Sequence, residues 1–331
     1  MIDLHLHLDG SLSKEDFIYL AKKNNVSLGD EFPNNIVVNK DCKSLEEYLK
    51  RFDLPCSLLQ DFESLKYATK SLVLRLFNLN YIYAEIRFAP QLHTLKGMNE
   101  IEVTKAVLDG LKEGLESTPG FDAKIILCCM RQSSSELNKK TIDAAIYLND
   151  EKIAAIDLAG PEAFLPTREY KDLFDAAIKS NLNVIIHAGE ACGNESIMEA
   201  IDIGASRIGH GVHLSFDTES LKKVKNKIYF EFCPTSNLQT KSIKDYEFVP
   251  IRQFLENEIF VTVNSDNMTV SDTNVIKEFK HLYRAFKLSK EEVFKLLSNS
   301  INGSFMRESE KEIKRKALLT KIDGFYDTII L

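Results

Sequence analysis

Residues 183–190 read Asn183-Val184-Ile185-Ile186-His187-Ala188-Gly189-Glu190. Val184, Ile185 and Ile186 form a short β-branched run that is apolar on both faces, as expected of a strand buried on both sides in a parallel sheet. An amphipathic stretch, Tyr170–Lys179, precedes it, and another short run, Arg207–His210, follows. The same alternation extends in both directions. Strands are expected at Ile2–His7, Ile82–Phe88, Lys124–Met130, Ile153–Leu158, Asn183–His187, Arg207–His210, Ile228–Phe232 and Phe260–Asn264. Between them lie helical patterns such as Glu100–Leu115, where Leu108, Leu111 and Leu115 share one face, and Leu137–Leu148. Eight strands in βα alternation predict an α/β fold, a closed (β/α)8 TIM barrel rather than an open doubly wound sheet. The gap between the first two strands holds Lys14–Asn24, Leu45–Phe52 and Phe62–Asn78. These extra helices after the first strand would wall or cover the barrel mouth. The tail beyond Asp272 is helical and adds no strand. No linker, repeat or low-complexity tract divides the chain, so one domain over 1–331 is expected.

The 331 residues are 44% hydrophobic and 27% charged, which excludes a disordered chain. A net charge of −7 argues against binding nucleic acid through a basic surface. No apolar run approaches a membrane span, and the opening Met1-Ile2-Asp3-Leu4-His5 has no signal-peptide pattern. The cysteines (Cys42, Cys56, Cys128, Cys129, Cys192 and Cys233) include no C-x-x-C pair and read as reduced, mostly buried thiols of a cytoplasmic protein.

The chemistry lies at the C-terminal ends of the strands, the face where barrel active sites are built. His5 and His7 are two apart on a strand and point to one side. Alone, such a pair is common in strands that bind nothing. His187 caps the run 184–186, His210 ends another strand between Gly209 and Gly211, and Asp266 follows Val261-Thr262-Val263-Asn264. Imidazoles and a carboxylate from separate strand ends, with one position left for water, suit a catalytic metal, best zinc. The strand Ile153–Leu158 has no lysine near its end to bridge two metals, which favours a single ion. Glu85 and Arg87 alternate on the second strand and are expected to pair near the mouth. His281, in a charged helical stretch, is expected to be solvated.

In order along the chain, His5-Leu6-His7-Leu8-Asp9-Gly10-Ser11, Asp157-Leu158-Ala159-Gly160, His187-Ala188-Gly189-Glu190, Gly209-His210-Gly211, Cys233-Pro234-Thr235-Ser236-Asn237 and Asn264-Ser265-Asp266 resemble the motifs of the adenosine deaminase family of zinc aminohydrolases. The resemblance covers Met1 to about Asp272. It implies one zinc ion per chain held by His5, His7, His187 and Asp266. It also implies that Glu190 donates a proton to purine N1, that His210 orients and polarises the attacking water, and that Asp266 relays its proton. Asp9 would contact the ribose, the backbone of Gly160 the purine N3, and Tyr48 and Phe52 would be lid aromatics. Asn267 stands where many members carry a second aspartate facing N7, and its amide offers N–H donors to that acceptor. The implied reaction is hydrolytic deamination of adenosine, and of 2′-deoxyadenosine, in purine salvage. Three alternatives stay open: adenine, a methylthioadenosine or an adenine nucleotide as substrate. A catalytically inactive metal-binding relative is a further one. The partner is thus a small-molecule purine nucleoside, with neither nucleic acid nor membrane. The sequence sets no oligomeric state.

Overall fold

The computed structural model describes residues 1–39 and 42–331. Eight strands occur where the pattern places them: β1 (Ile2–His7), β2 (Tyr83–Phe88), β3 (Asp122–Met130), β4 (Ile153–Ala159), β5 (Asn183–Ala188), β6 (Arg207–His210), β7 (Tyr229–Phe232) and β8 (Phe260–Val263). Each pairs in parallel with the next, in the order β1 to β8. Helices between them cover the outside. The sheet is a TIM barrel, as expected.

The seam between the last strand and the first is closed just beyond β8. Asp266 donates its N–H to the His5 carbonyl and accepts the His7 N–H at its own carbonyl, both at 2.8 Å. Side chains complete the join. Asn264 Oδ1 accepts the Leu4 N–H at 3.0 Å, and the Asp3 carboxylate accepts the Ser265 hydroxyl at 2.6 Å.

Strand side chains alternate between two destinations. Ile86, Phe88, Ile156, Leu158, Ile186, Phe230 and Val261 join one apolar cluster with helix residues such as Phe17, Leu72, Val103 and Val107. The alternate residues face the barrel interior, and several are charged. Glu85, Arg87, Asp157, Arg207 and Glu231 are fully buried there. Arg87 pairs with Asp157 and Glu231, each at 2.8 Å. Arg207 pairs with Glu85 at 2.5 Å and with Glu231 at 2.6 Å. The expected pair between Glu85 and Arg87 does not form. Two residues apart on one strand they occupy successive interior layers, and each finds its partners across the barrel.

Breaking such a network by removing one partner strands its neighbours. Arg87→Met should leave Asp157 and Glu231 short of a cation and cost about 3–5 kcal/mol of stability. A urea melt of the variant against the native protein reads this as a lower midpoint.

The helices after β1 begin at recognisable caps. Ser13 and Asp16 form a capping box on Lys14–Asn24, and Asp61 accepts the Ser64 N–H at the start of Phe62–Asn78. The expected helix Leu45–Phe52 is α-helical only over Leu45–Leu49 and tightens to a 3-10 turn over Lys50–Phe52. Beyond β8, helices Val275–Phe286, Lys290–Gly303 and Glu308–Ile330 pack around the barrel. Among the described residues no helix is long and apolar enough to cross a membrane. All six cysteines are unpaired, and four of them are buried.

Candidate active site

The strand ends deliver four imidazoles to one point. Ring centroids lie 5.4 Å apart for His5 and His7, 4.6 Å for His5 and His187, and 4.9 Å for His5 and His210. Asp266 Oδ1 stands 3.6 Å from His5 Nε2 and 3.4 Å from His7 Nε2. The donor atoms of His5, His7 and His187, and those of His5, His210 and Asp266, lie within 4.8 Å of one another. Asp266 and His210 both adopt positive φ, at +60° and +63°. Side chains other than glycine rarely sit there, and the strain is typical of functional positions.

Each inner imidazole is fixed from behind. His5 Nδ1 meets Glu231 at 2.8 Å, and His187 Nδ1 meets Asp157 at 3.1 Å. Arg87 holds both carboxylates, so one guanidinium aligns two histidines. Burial raises Asp157, but His187 and Arg87 beside it overcome this and hold its carboxyl well below the usual range. Burial, followed by Arg87 and the other histidines, pushes His5 far down; burial and His187 do the same to His7. Both rings are therefore neutral and carry lone pairs. The buried His5 Nε2 has no hydrogen-bond partner, and it points into this group of donors. An unpartnered imidazole nitrogen surrounded by two further imidazoles and a carboxylate fits a divalent metal. Below it, three carboxylates (Glu85, Asp157 and Glu231) face two guanidiniums (Arg87 and Arg207), an excess of negative charge that favours a cation above.

The group opens into a cavity of about 590 Å³ lined by His7, Asp9, Tyr48, Phe52, Met130, Gly160, His187, Glu190, His210, Asp266 and Asn267 among others. Every residue expected at the site other than His5 lines it, and His5 is fully buried, its ring centroid 5.4 Å from that of His7. Glu190 Oε2 stands 3.6 Å from His210 Nε2, and Glu190 Oε1 accepts the Thr240 hydroxyl at 3.0 Å. Burial raises Glu190 to about 7, with a contribution from Glu162. His210 is lowered to about 4 by burial, and its Nδ1 accepts from Asn237 Nδ2 at 3.0 Å, which leaves the proton on Nε2 facing Glu190. Burial also raises Asp9, to about 6.

Two expected residues carry bonds that the sequence did not announce. Tyr48 Oη is shared with Ser271 Oγ at 2.8 Å, so this aromatic ties the segment after β1 to the loop after β8. Asn267 Nδ2 donates to Tyr48 Oη at 2.8 Å and to Asp266 Oδ1 at 2.7 Å. Its two N–H groups are thus engaged within the protein, and its buried Oδ1 has no partner. Gly10 makes room for it, because a Cβ there would lie 1.8 Å from Asn267 Oδ1. Gly160 has φ +94°, and a Cβ on it would meet Gln132 Oε1 at 2.3 Å. Only glycine brings the backbone to the cavity wall at this point.

Sequence reasoning missed the parts played by Asp157, Glu231, Asn237 and Thr240, and gave Arg87 the wrong partner. Asp157 and Asn237 lay inside quoted motifs without a role. Glu231 had a signal of its own, a carboxylate set between Phe230 and Phe232 in a buried strand. The remaining histidines play no part in the metal group. His93 Nδ1 bonds the Leu59 carbonyl, and His213 Nε2 the Ser242 carbonyl. His281 is half-buried rather than solvated, because it stacks on Tyr246 at 4.3 Å.

A family model described as adenosine deaminase matches residues 1–324. The chain belongs to the adenosine deaminase family. A relative named adenosine deaminase, from Haemophilus ducreyi, is 43% identical over all of this chain and 97% of its own length. Among solved structures, the adenine deaminase of Arthrobacter aurescens superposes with a TM-score of 0.88 at 25% identity, covering 98% of both chains. The N6-methyl-AMP deaminase of Arabidopsis thaliana superposes with 0.83 at 26% identity, covering 98% of this chain and 96% of that one. The adenosine deaminase family motifs thus lie on strand ends that meet at one cavity.

Proposed function

We propose that this protein hydrolyses the 6-amino group of adenosine, and of 2′-deoxyadenosine, to give the 6-oxopurine nucleoside and ammonia. One zinc ion, held by His5, His7, His187 and Asp266, is its cofactor. The observation that carries the reading is the pairing of that donor set with a buried carboxyl, Glu190, raised to about 7 at the same cavity. Zinc in such a site supplies a nucleophilic water at neutral pH. The chain's own residues do the rest. Purine C6 accepts the oxygen, and negative charge builds on N1. Glu190 neutralises it by giving its proton, which a carboxyl of ordinary pKa would already have lost at neutral pH. His210 aims its Nε2 proton into the same space and orients the water. Asp266 takes the water proton and returns it to the departing amine. Asp9 holds the ribose, the Gly160 backbone meets N3, and Phe52 closes the apolar wall.

The solved neighbours named adenine deaminase and N6-methyl-AMP deaminase make the free base and an adenine nucleotide the competing substrates. The lining favours the nucleoside. Among the described residues around the cavity, Lys50 is the one cation besides histidine, against Asp9, Glu46, Asp53, Glu190 and Asp266. A 5′-phosphate would meet carboxylates there without a guanidinium to pair with. Loss of purine absorbance with adenosine, adenine and AMP, together with a bound-metal assay, tests the assignment. Turnover of adenine or AMP in preference to adenosine would overturn it. Unpaired thiols suit a reducing compartment, which supports a cytoplasmic salvage role.

We assign Asn267 to purine N7. To donate there its amide must release Tyr48, whose hydroxyl keeps Ser271. Asn267→Ala is expected to lose roughly 1–3 kcal/mol of transition-state stabilisation, about 5- to 150-fold in kcat/KM. Part of that reflects Asp266 losing its neighbour. A 7-deaza substrate isolates the N7 share: the native enzyme should discriminate against it and Asn267→Ala should not. Equal discrimination by both would remove Asn267 from N7.

A further inference from the structure

The segment that presents Glu190 is wrapped around one buried carboxylate. Glu162 lies two residues beyond Gly160, in the loop after β4, and is 3% exposed. Its Oε1 accepts the Gly189 N–H at 2.6 Å and the Ser196 hydroxyl at 2.6 Å. Its Oε2 accepts the N–H groups of Glu190, Ala191 and Cys192 at 2.9, 2.7 and 2.9 Å. Four consecutive main-chain donors and a hydroxyl thus converge on one side chain. Donors to an ionised carboxylate form short, strong bonds, and here they fix the backbone on both sides of the Glu190 Cα. The far side of Ser196 is anchored too. Its oxygen lies 2.8 Å from the Thr167 hydroxyl, and Thr167 takes a bond from the buried Arg131, which also binds the His187 carbonyl. Glu162 contacts neither the metal donors nor the Glu190 carboxyl, and bears on the reaction through the backbone it holds and, at longer range, through the negative charge that helps to raise Glu190.

We propose that Glu162 is the positioning residue for the proton donor: by fastening main-chain residues 189–192 it sets where the Glu190 carboxyl stands against the purine ring. This rests on the reading of Glu190 as the donor. Among the described residues the Glu190 tip takes one hydrogen bond, from Thr240, with His210 Nε2 farther off at 3.6 Å, so the aim of the carboxyl depends largely on the backbone beneath. An uncharged amide cannot replace the carboxylate. Glutamine at 162 would turn an NH2 group toward main-chain N–H groups, and donors facing donors push the segment away. Displacing a reacting group by about 1 Å costs on the order of 10²-fold in rate.

The test is a double-mutant cycle on the zinc-loaded enzyme, with kcat and KM for adenosine and metal content measured for the native protein, Glu162→Gln, Glu190→Gln and the double variant. Glu162→Gln should keep its zinc and lower kcat by about 10²-fold while KM changes far less. In the Glu190→Gln background the same substitution should lower the remaining kcat by less than about threefold, because no proton donor is left to misplace. A loss that carries over in full to that background would overturn the positioning role. Near-native kcat in Glu190→Gln alone would instead overturn the donor reading beneath it, so the two failures are distinct. Should Glu162→Gln not fold, Ser196→Ala takes its place in the cycle. It leaves the four main-chain bonds and removes one donor from Oε1, with about a tenfold loss expected in the native background and none beside Glu190→Gln. Full additivity there overturns the proposal equally.

Discussion

Glu190→Gln is expected to fold, to bind metal as the native protein does, and to lose roughly 10²- to 10⁴-fold in kcat, the range that general acid catalysis supplies. The amide is isosteric and still able to hydrogen-bond N1, so substrate affinity should change far less than turnover. The reason for so large an effect lies in the surroundings of the carboxyl. Buried at the cavity and raised to about 7, it retains a proton near neutrality. No other described carboxyl at the cavity combines that property with the same position. Asp9 is raised only to about 6 and stands beside Cys56, with 3.7 Å between their polar atoms. Near-native kcat in the variant would assign the acid elsewhere.

His187→Ala is expected to be the more complete loss. The imidazole brings one of the few donor atoms, already aligned by Asp157, and its removal opens the donor set while leaving that buried carboxylate with Arg87 but without its imidazole partner. Most bound metal and nearly all activity should go, since even losing an outer-shell partner costs a metal site 10- to 100-fold in affinity. Elemental analysis and turnover decide the matter, and full zinc with normal turnover would refute the ligand assignment. Stability gives a second readout. A ligand present at about 10³ times its Kd stabilises the native state by about 4.1 kcal/mol, so chelation should lower the melting temperature of the native protein and leave that of the variant almost unmoved.

Much of this was legible before any coordinates. The β-branched runs located all eight strands to within two residues at either end, because parallel strands covered on both faces are apolar throughout. The helical stretches Lys14–Asn24 and Phe62–Asn78 were legible too, and the structure starts each at a side-chain cap, Ser13 and Asp61. The histidines and Asp266 were legible because a parallel barrel puts the C-terminal end of every strand at one mouth. What stayed hidden depends on closure. Arg87 passes over Glu85 and reaches Asp157 and Glu231, on strands far along the chain, and no spacing rule names such partners. The Asn267 amide is diverted by Tyr48 from a segment more than 200 residues away. Glu162 was invisible for the same reason: its partners are main-chain groups, which carry no residue signature.

The seam of the barrel has a consequence for how the enzyme comes into being. Asp266 is both a donor of the proposed metal site and the residue whose backbone links the far end of the sheet to β1, while Asp3 and Ser265 meet across 262 positions. Such distant pairings close late in folding, because the entropy of the long intervening loop is lost before they form. A growing chain on the ribosome therefore holds His5 and His7 from its first moments but has no Asp266 beside them until nearly all of the barrel has been made. Nascent or truncated chains cannot assemble the complete centre, and tight metal capture becomes a report that the ring has been closed.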